Sequence, residues 1–311
     1  MDRLAIFAGN ANTELAASIA AGLDSEVGDM EVGRFPDGET MVRIGEDVRG
    51  KNVYVIQSTC PPVNEHLMEL LIIIDAMKRA SASSITAVVP YYGYARQDRK
   101  HEGRVPITAK LAANMIAAAG ADRLLTMDLH SSQIQGFFDI VMDHLFARPV
   151  MLQHLKAKEL AAPVVLAPDT GSIKMADAFA KRLGAGLAVV YKRRKSSDTV
   201  EVGYVIGEIE KKNVIILDDM ITTAGSMQLA INAAREHGAA SVSAMATHAV
   251  FCGPAFERLA AAGPDEVAVT DTIPIRGEPK GINMAVLSVA PLLADAIKRI
   301  HLNQSVSRLF E

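Results

Sequence analysis

Short apolar runs rich in Val and Ile alternate along the chain with longer stretches in which apolar positions recur every three or four residues. Runs of the first kind read as buried strands and stretches of the second as amphipathic helices; their alternation marks β-α units on a largely parallel sheet. The fold class is therefore α/β. Strands are predicted at Leu4 to Ala8, Val53 to Gln57, Ile85 to Pro90, Leu124 to Asp128, Val164 to Ala167, Leu187 to Tyr191, Val214 to Leu217, Val242 to Thr247, Val267 to Thr270 and Met284 to Ser288. Helices are predicted at Thr13 to Ala21, Asn64 to Arg79, Ile107 to Ala119, Ile173 to Arg182, Gly225 to Glu236 and Pro291 to His301. Val53 to Pro90 and Val214 to Thr247 share one order: strand, polar turn, long helix, small residues, strand. The unit occurs twice and is longer than a solenoid repeat, so it points to internal duplication and two similar domains. The boundary is placed near Arg148 and Pro149, where proline begins a new helix, giving domains 1–147 and 148–311.

Composition narrows the class. Of 311 residues half are hydrophobic and 22% charged, enough to bury a large core. A net charge of −4 argues against a polyanion-binding surface, so no nucleic-acid partner is expected and any phosphate binding is local. Cys60 and Cys252 form no C-x-x-C pair, which excludes a disulfide framework and fits a reducing cytosol. Met1 leads into a strand pattern without the basic and apolar regions of a signal peptide. The longest apolar run, Leu70 to Ile74, is too short to span a bilayer. The expectation is a cytoplasmic protein without a membrane partner.

The strongest chemical signal runs from Val214 to Met227. An apolar strand ends in Asp218 and Asp219, and the chain turns through Thr222, Thr223, Ala224, Gly225 and Ser226 into a helix. Open α/β sheets bind ligands at that edge. Free backbone N–H groups, three hydroxyls and the helix dipole favour a phosphate, while the acids can accept hydrogen bonds from vicinal sugar hydroxyls or hold a metal. The competing reading is an Asp-rich helix cap, which leaves the hydroxyl-rich continuation without a use. His130 follows Asp128 at another strand end and could ligate a metal or meet a phosphate; a lone histidine is more often structural. Asp169 precedes a helix start and serves equally as a cap or as an oxygen ligand for Mg²⁺. The basic run Lys192, Arg193, Arg194, Lys195 enters a polar stretch, Ser196 to Thr199, expected to be mobile; beside phosphate sites it reads as a lid rather than a solvated loop. Gly45 to Asn52 nearly fits a P-loop, but it ends in Asn, precedes a strand and places two carboxylates where phosphates would sit, so it takes no nucleotide role.

Taken in order, a wider set of residues resembles class I ribose-phosphate pyrophosphokinase from end to end. The set comprises Gly33 to Glu39, then Pro61, Val63 to His66 and Met68 to Leu70, then Tyr91 to Lys100, Pro106 to Lys110, Asp128 to His130, Gln133 to Asp139, Lys192 to Arg194 and the acidic segment. The resemblance implies two similar phosphoribosyltransferase-like domains, each a largely parallel sheet flanked by helices, with ATP on the N-terminal side and ribose 5-phosphate on the C-terminal side. The resemblance also implies that the last helix packs on the N-terminal domain. It implies transfer of diphosphate from MgATP to the anomeric hydroxyl of ribose 5-phosphate, giving 5-phosphoribosyl 1-pyrophosphate and AMP. By resemblance Asp218 and Asp219 hold the ribose hydroxyls, and Thr222, Thr223, Gly225 and Ser226 the 5-phosphate. Phe35, Asp37 and Glu39 recognise adenine, Arg96, Gln97 and His130 contact ATP, and His130 and Asp169 place Mg²⁺. Lys192, Arg194 and His130 act in catalysis. A homohexamer with the ATP site shared between subunits is also implied.

Two other readings share parts of this pattern. A non-catalytic regulatory subunit of the same fold typically loses catalytic-loop and sugar-loop residues, which are present here. A phosphoribosyltransferase shares the acidic segment but lacks the Phe35 to Glu39 and Arg96, Gln97 motifs. Thr222 departs from the family's Asp, Ser172 from its second Gly, and Met175 stands in place of its next basic residue. Glu102 and Gly103 replace the Arg and Ser common in its regulatory loop, with Arg104 kept. An acid where ADP or phosphate should bind repels it, so ADP inhibition and phosphate activation are expected to be weak or altered; steady-state assays showing ADP inhibition non-competitive with ATP and abolished by Arg104→Ala would overturn this.

Overall fold

Both main sheets are built by parallel pairing. The computed structural model describes residues 3–194 and 200–310, which fall into two units. The first comprises Met1–Phe146, Thr272–Pro274 and Ser288–Glu311, the second Ala147–Asp271 and Ile275–Leu287.

Unit 1 runs β1 (Leu4–Ala8), α1 (Thr13–Ala21), β2 (Met30–Arg34), β3 (Thr40–Ile44), β4 (Asn52–Ile56), α2 (Val63–Arg79), β5 (Ser84–Val89), α3 (Thr108–Ala119), β6 (Arg123–Met127) and β7 (Val141–Leu145). Its five-stranded sheet has the order β1-β4-β5-β6-β7, all parallel. Helix α2 forms because Leu67, Leu70, Ile73, Ile74 and Met77 fall on one face, and that face is buried. It packs in one core with Val53 and Val55 of β4, Ile85 and Ala87 of β5 and the alanine-rich face of α3. Each such aliphatic side chain contributes about 1.5–3 kcal/mol by leaving water. The antiparallel ribbon β2–β3 is a separate two-stranded sheet whose Met30, Val32, Val42 and Ile44 pack on this core.

Unit 2 runs α4 (Arg148–Lys156), β8 (Pro163–Ala167), α5 (Ile173–Leu183), β9 (Gly186–Arg194), β10 (Val200–Ile206), β11 (Asn213–Ile221), α6 (Gly225–Glu236), β12 (Ser241–Ala249), α7 (Ala255–Ala262), β13 (Glu266–Thr270) and β14 (Met284–Leu287). Its sheet order is β10-β9-β8-β11-β12-β13-β14, with β10 alone antiparallel to its neighbour. Helix α8 (Ala290–His301) then returns the chain to unit 1, where it packs on α1.

The α/β class and the predicted strands and helices are all present, with ends shifted by a few residues. The main correction concerns the strand predicted from Val214 to Leu217: β11 runs on to Ile221 and takes Asp218 and Asp219 into its interior. Pairing explains the extension. Neighbour β8 matches β11 only as far as Leu166 opposite Ile216, whereas β12 continues beside it to Ala249 opposite Ile221. Strands β2, β3, β7 and β10 and helix α7 were not anticipated. The ribbon strands have half-exposed alternation broken by Gly33, and α7 has eight residues, too few for a clear helical period. Lys195 and the stretch Ser196 to Thr199 lie outside the described residues.

One ion-pair cluster ties α4 to the sheet. Glu266, 8% exposed at the start of β13, accepts from His154 Nε2 at 3.1 Å and from Lys158 Nζ. Burial alone would raise its carboxyl, but the hydrogen bonds from Lys158 and His154 outweigh that and hold it below the ordinary value of 4.5. A depressed acid stabilises the fold above its unfolded pKa, and that contribution is lost as pH falls through the folded value. Glu266→Gln should cost about 2–3 kcal/mol at pH 7, with the gap to wild type narrowing below pH 4.5; equal gaps in thermal melts at pH 7 and in acid would refute this.

Candidate active site

In a parallel sheet the turns that follow the strands gather at one edge, and Arg96, Gln97, His130, Asp169 and Thr222 to Ser226 lie at such turns, with Asp218 and Asp219 just before one. In unit 2, β8 and β11 are neighbours, so Asp169 just beyond β8 lies near the end of β11. Electrostatics register that proximity. Burial, then the charge of Asp219, then that of Asp169 push the Asp218 carboxyl well above the ordinary carboxylate range. The Asp219 N–H donates back to Asp218 Oδ1 at 3.0 Å, which offsets part of the rise. Three acids thus concentrate negative field at one sheet edge, where vicinal hydroxyls or a cation would be favoured.

Beyond Ile221 the chain turns through half-buried Thr222 and exposed Thr223 into α6, with Gly225 and Ser226 in its first turn. This helix has no side-chain cap. Its first N–H groups and the hydroxyls of Thr222, Thr223 and Ser226 occupy the same short segment, an arrangement suited to a phosphate monoester. The Asp169 carboxylate is partly engaged: Oδ1 accepts from Gly171 N at 2.9 Å, Ser172 N at 3.2 Å and Ser172 Oγ at 3.1 Å. It therefore organises the start of α5, as the cap reading expects. Lys192 and Arg194 end β9, and their side chains lie outside what is described.

In unit 1 the turns after β5 and β6 are adjacent. Exposed Arg96 and Gln97 follow β5, and exposed His130 follows β6, just after Asp128 in the left-handed region at φ 38. Gln133 Nε2 donates to Asp98 Oδ2 at 3.1 Å and joins the two segments. Gln97 is fixed at both ends of its peptide, its N–H donating to Tyr94 O at 3.0 Å and its carbonyl accepting from Ala109 N at 3.2 Å. Phe35, Asp37 and Glu39 form the tip of the β2–β3 ribbon. Phe35 N donates to Glu39 O at 2.8 Å and Glu39 N to Asp37 Oδ1 at 3.1 Å, leaving the Phe35 ring 48% exposed. An ordered turn with a solvent-facing aromatic ring can stack on a planar ligand.

A partly buried network that no local sequence pattern marks as a whole holds the base of this ribbon. Glu69 Oε1 accepts from Asn10 N at 2.6 Å and Gln57 Nε2 at 2.7 Å, and Oε2 from Asn10 Nδ2 at 3.0 Å. Asn10 Nδ2 also reaches Val32 O in β2 at 3.2 Å, and Ala11 N donates to Gln57 Oε1 at 3.0 Å. A Cβ at Gly9 would lie 2.4 Å from Gln57 Oε1, so only glycine fits there. An acid inside the apolar stripe of α2 was the available signal. Arg258 of α7 was missed too: its Nη1 donates to Thr223 O at 3.1 Å.

Comparison with known proteins gives consistent relatives. Residues 4–120 match a family model described as the N-terminal domain of ribose phosphate pyrophosphokinase, and residues 201–311 one described as a phosphoribosyl synthetase-associated domain. The ribose-phosphate pyrophosphokinase of Rhodopirellula baltica is 54% identical over 313 residues, covering 100% of this chain and 99% of its own. That of Caldanaerobacter subterraneus subsp. tengcongensis is 54% identical, covering 99% and 98%. The crystal structure of phosphoribosylpyrophosphate synthetase from Mycobacterium smegmatis aligns at a TM-score of 0.91 with 43% identity, covering 97% of this chain and 100% of that one.

The raised Asp218 carboxyl has a consequence for stability. An acid whose folded pKa lies above its unfolded value of 3.8 stabilises the fold fully only below that value and loses the contribution as pH rises through the folded value. Asp218→Asn should therefore raise the melting temperature of the ligand-free protein by about 2–4 °C at pH 8, and by less at pH 5. A gain that is larger at pH 5, measured by calorimetry, would remove the electrostatic account.

Proposed function

The chain belongs to the ribose-phosphate pyrophosphokinase family, and from that premise we propose how its residues divide the work. It is an enzyme that transfers diphosphate from ATP to the anomeric hydroxyl of ribose 5-phosphate, giving 5-phosphoribosyl 1-pyrophosphate and AMP for nucleotide biosynthesis. The observation that carries the residue roles is the overhang of β11 past β8, which delivers two carboxylates and a hydroxyl-rich helix start to one edge. Asp218 and Asp219 accept hydrogen bonds from the ribose hydroxyls. Thr222, Thr223, Gly225 and Ser226 receive the 5-phosphate. Thr222 replaces an acid with a donor, which suits an anion.

Phe35 stacks on adenine, with Asp37 and Glu39 accepting from its polar edge, while Arg96, Gln97 and His130 bind the polyphosphate. Lys192 and Arg194 neutralise charge on the transferring group. Such transfer depends on in-line placement and charge stabilisation more than on covalent help from the protein.

Among the described residues no group of three or more His, Cys, Asp or Glu side chains is placed to cage a metal ion. Mg²⁺ does not need one, since it keeps waters and takes one or two carboxylates together with substrate phosphates. The mutual repulsion of Asp218, Asp219 and Asp169 is the kind of field that a divalent cation relieves. His130 and Asp169 are the residues that would help hold it, and when bound it would neutralise polyphosphate charge.

A homohexamer is the proposed assembly, with the exposed Phe35 ribbon tip serving a neighbouring subunit's ATP site. A cytoplasmic location is proposed: Cys60 and Cys252 form no disulfide, and among the described residues no helix is long and apolar enough to cross a membrane. The full-length relatives named as pyrophosphokinases give no support to the non-catalytic regulatory reading.

Purified protein given MgATP and ribose 5-phosphate should release AMP, and Lys192→Ala should lower turnover by about 100-fold with little change in ribose 5-phosphate binding. Absence of AMP above background refutes the activity; a Lys192→Ala enzyme with unchanged turnover refutes the role given to that lysine.

A further inference from the structure

Arg258 stands outside every motif assigned above, yet its side chain reaches the segment between β11 and α6. Its Nη1 donates to the main-chain carbonyl of Thr223 at 3.1 Å. The same nitrogen lies 3.3 Å from the point that a Cβ at position 225 would occupy, so the guanidinium is folded over Gly225. The next residue along the turn, Ala224, adopts the left-handed conformation at φ 59 and ψ 10. That conformation costs a residue with a Cβ roughly 1–2 kcal/mol, so the turn persists only where something holds it.

Peptide geometry says what the contact achieves. A trans peptide keeps its C=O and N–H on opposite sides. Holding the Thr223 carbonyl against Arg258 therefore directs the Ala224 N–H to the opposite side of the turn. The N–H groups of 225 and 226 follow in the first turn of α6, where no side-chain cap competes for them. Residues 222–226 include no cationic side chain, so the segment depends on well-aimed neutral donors.

We propose that Arg258 is a positioning residue for the sugar-phosphate cradle: by clamping the Thr223 carbonyl it holds the left-handed turn at Ala224 and presets the backbone N–H groups for a phosphate monoester dianion. The proposal rests on the assignment of Thr222, Thr223, Gly225 and Ser226 to the 5-phosphate. A planar guanidinium on a long stem is suited to the task, and lysine does not reproduce it.

The test uses the full-length enzyme as wild type, Arg258→Ala, Arg258→Lys, Ser226→Ala, and Arg258→Ala combined with Ala224→Gly. Steady-state kinetics give kcat and KM for each substrate, calorimetry gives ribose 5-phosphate binding without ATP, and melting curves report folding. Arg258→Ala should weaken ribose 5-phosphate about tenfold and leave the KM for ATP within about twofold. Arg258→Lys should recover only part of the loss. Adding Ala224→Gly should also restore part of it, because glycine adopts the left-handed turn without the cost that a Cβ brings. Unchanged ribose 5-phosphate affinity in Arg258→Ala, a loss shared equally by both substrates, or no recovery with Ala224→Gly overturns the clamp. Ser226→Ala separates the two levels: if it leaves ribose 5-phosphate binding intact, the phosphate assignment itself fails, whereas a loss there beside an unaffected Arg258→Ala removes the clamp alone.

Discussion

Parallel strand pairing is the constraint from which the rest of this structure follows. Adjacent parallel strands cannot be joined by a tight hairpin, so each is followed by a crossover, usually a helix. The turns into those crossovers collect at a single edge of each sheet, where uncapped helix starts and strand ends leave backbone groups available. In unit 2 that edge holds Asp169, Asp218, Asp219 and the Thr222 to Ser226 turn; in unit 1 it holds Arg96, Gln97 and His130. The chemistry of each unit is set by which side chains occupy these turns, and the cores beneath serve to keep the strands in register.

The two units also share one path. In unit 1 a strand and a helix, β1 and α1, are followed by a ribbon, β2–β3, and then by β4, which pairs with β1. In unit 2 β8 and α5 are followed by a ribbon, β9–β10, and then by β11, which pairs with β8. The remaining strands add in the same direction in both, as the matching segments around β4–α2–β5 and β11–α6–β12 foreshadow. The ribbons have diverged. In unit 1 it stands as its own sheet with Phe35 at the tip, and in unit 2 it is hydrogen-bonded to the edge of the main sheet and carries Lys192 and Arg194. One inserted connection has thus taken two different places in the sheet architecture.

The sequence makes legible whatever depends on local pattern. Continuous apolar runs marked the buried parallel strands, and α1 and α6 have the ends that their periodicity suggests. Properties decided by neighbours were hidden. Asp218 looks like a turn residue because acids are rare in strands, yet β12 runs on beside it and keeps it extended. Glu69 interrupts an apolar stripe, and the sense of that interruption appears only once Asn10 and Gln57 are brought to it from elsewhere in the chain. Arg258 lies 35 residues beyond the carbonyl it holds, on a helix too short to announce itself. Local pattern therefore located the candidate residues, while the side chains that hold their segments emerged from tertiary contacts.

The return of α8 to unit 1 bears on how the protein is made. Helix α1 packs on α8, which buries Leu293, Ala294, Ala296 and Ile297, so this layer of unit 1 is completed by residues from the far end of the chain, while the core around α2 and α3 is not. On a ribosome adding about 5–20 residues per second, Ser288 emerges on the order of ten seconds after Phe146. During that interval α1 can rest on β1 but lacks its contact with α8. Vectorial synthesis thus leaves the α1–α8 layer, and not the core around α2 and α3, as the part of unit 1 that closes last.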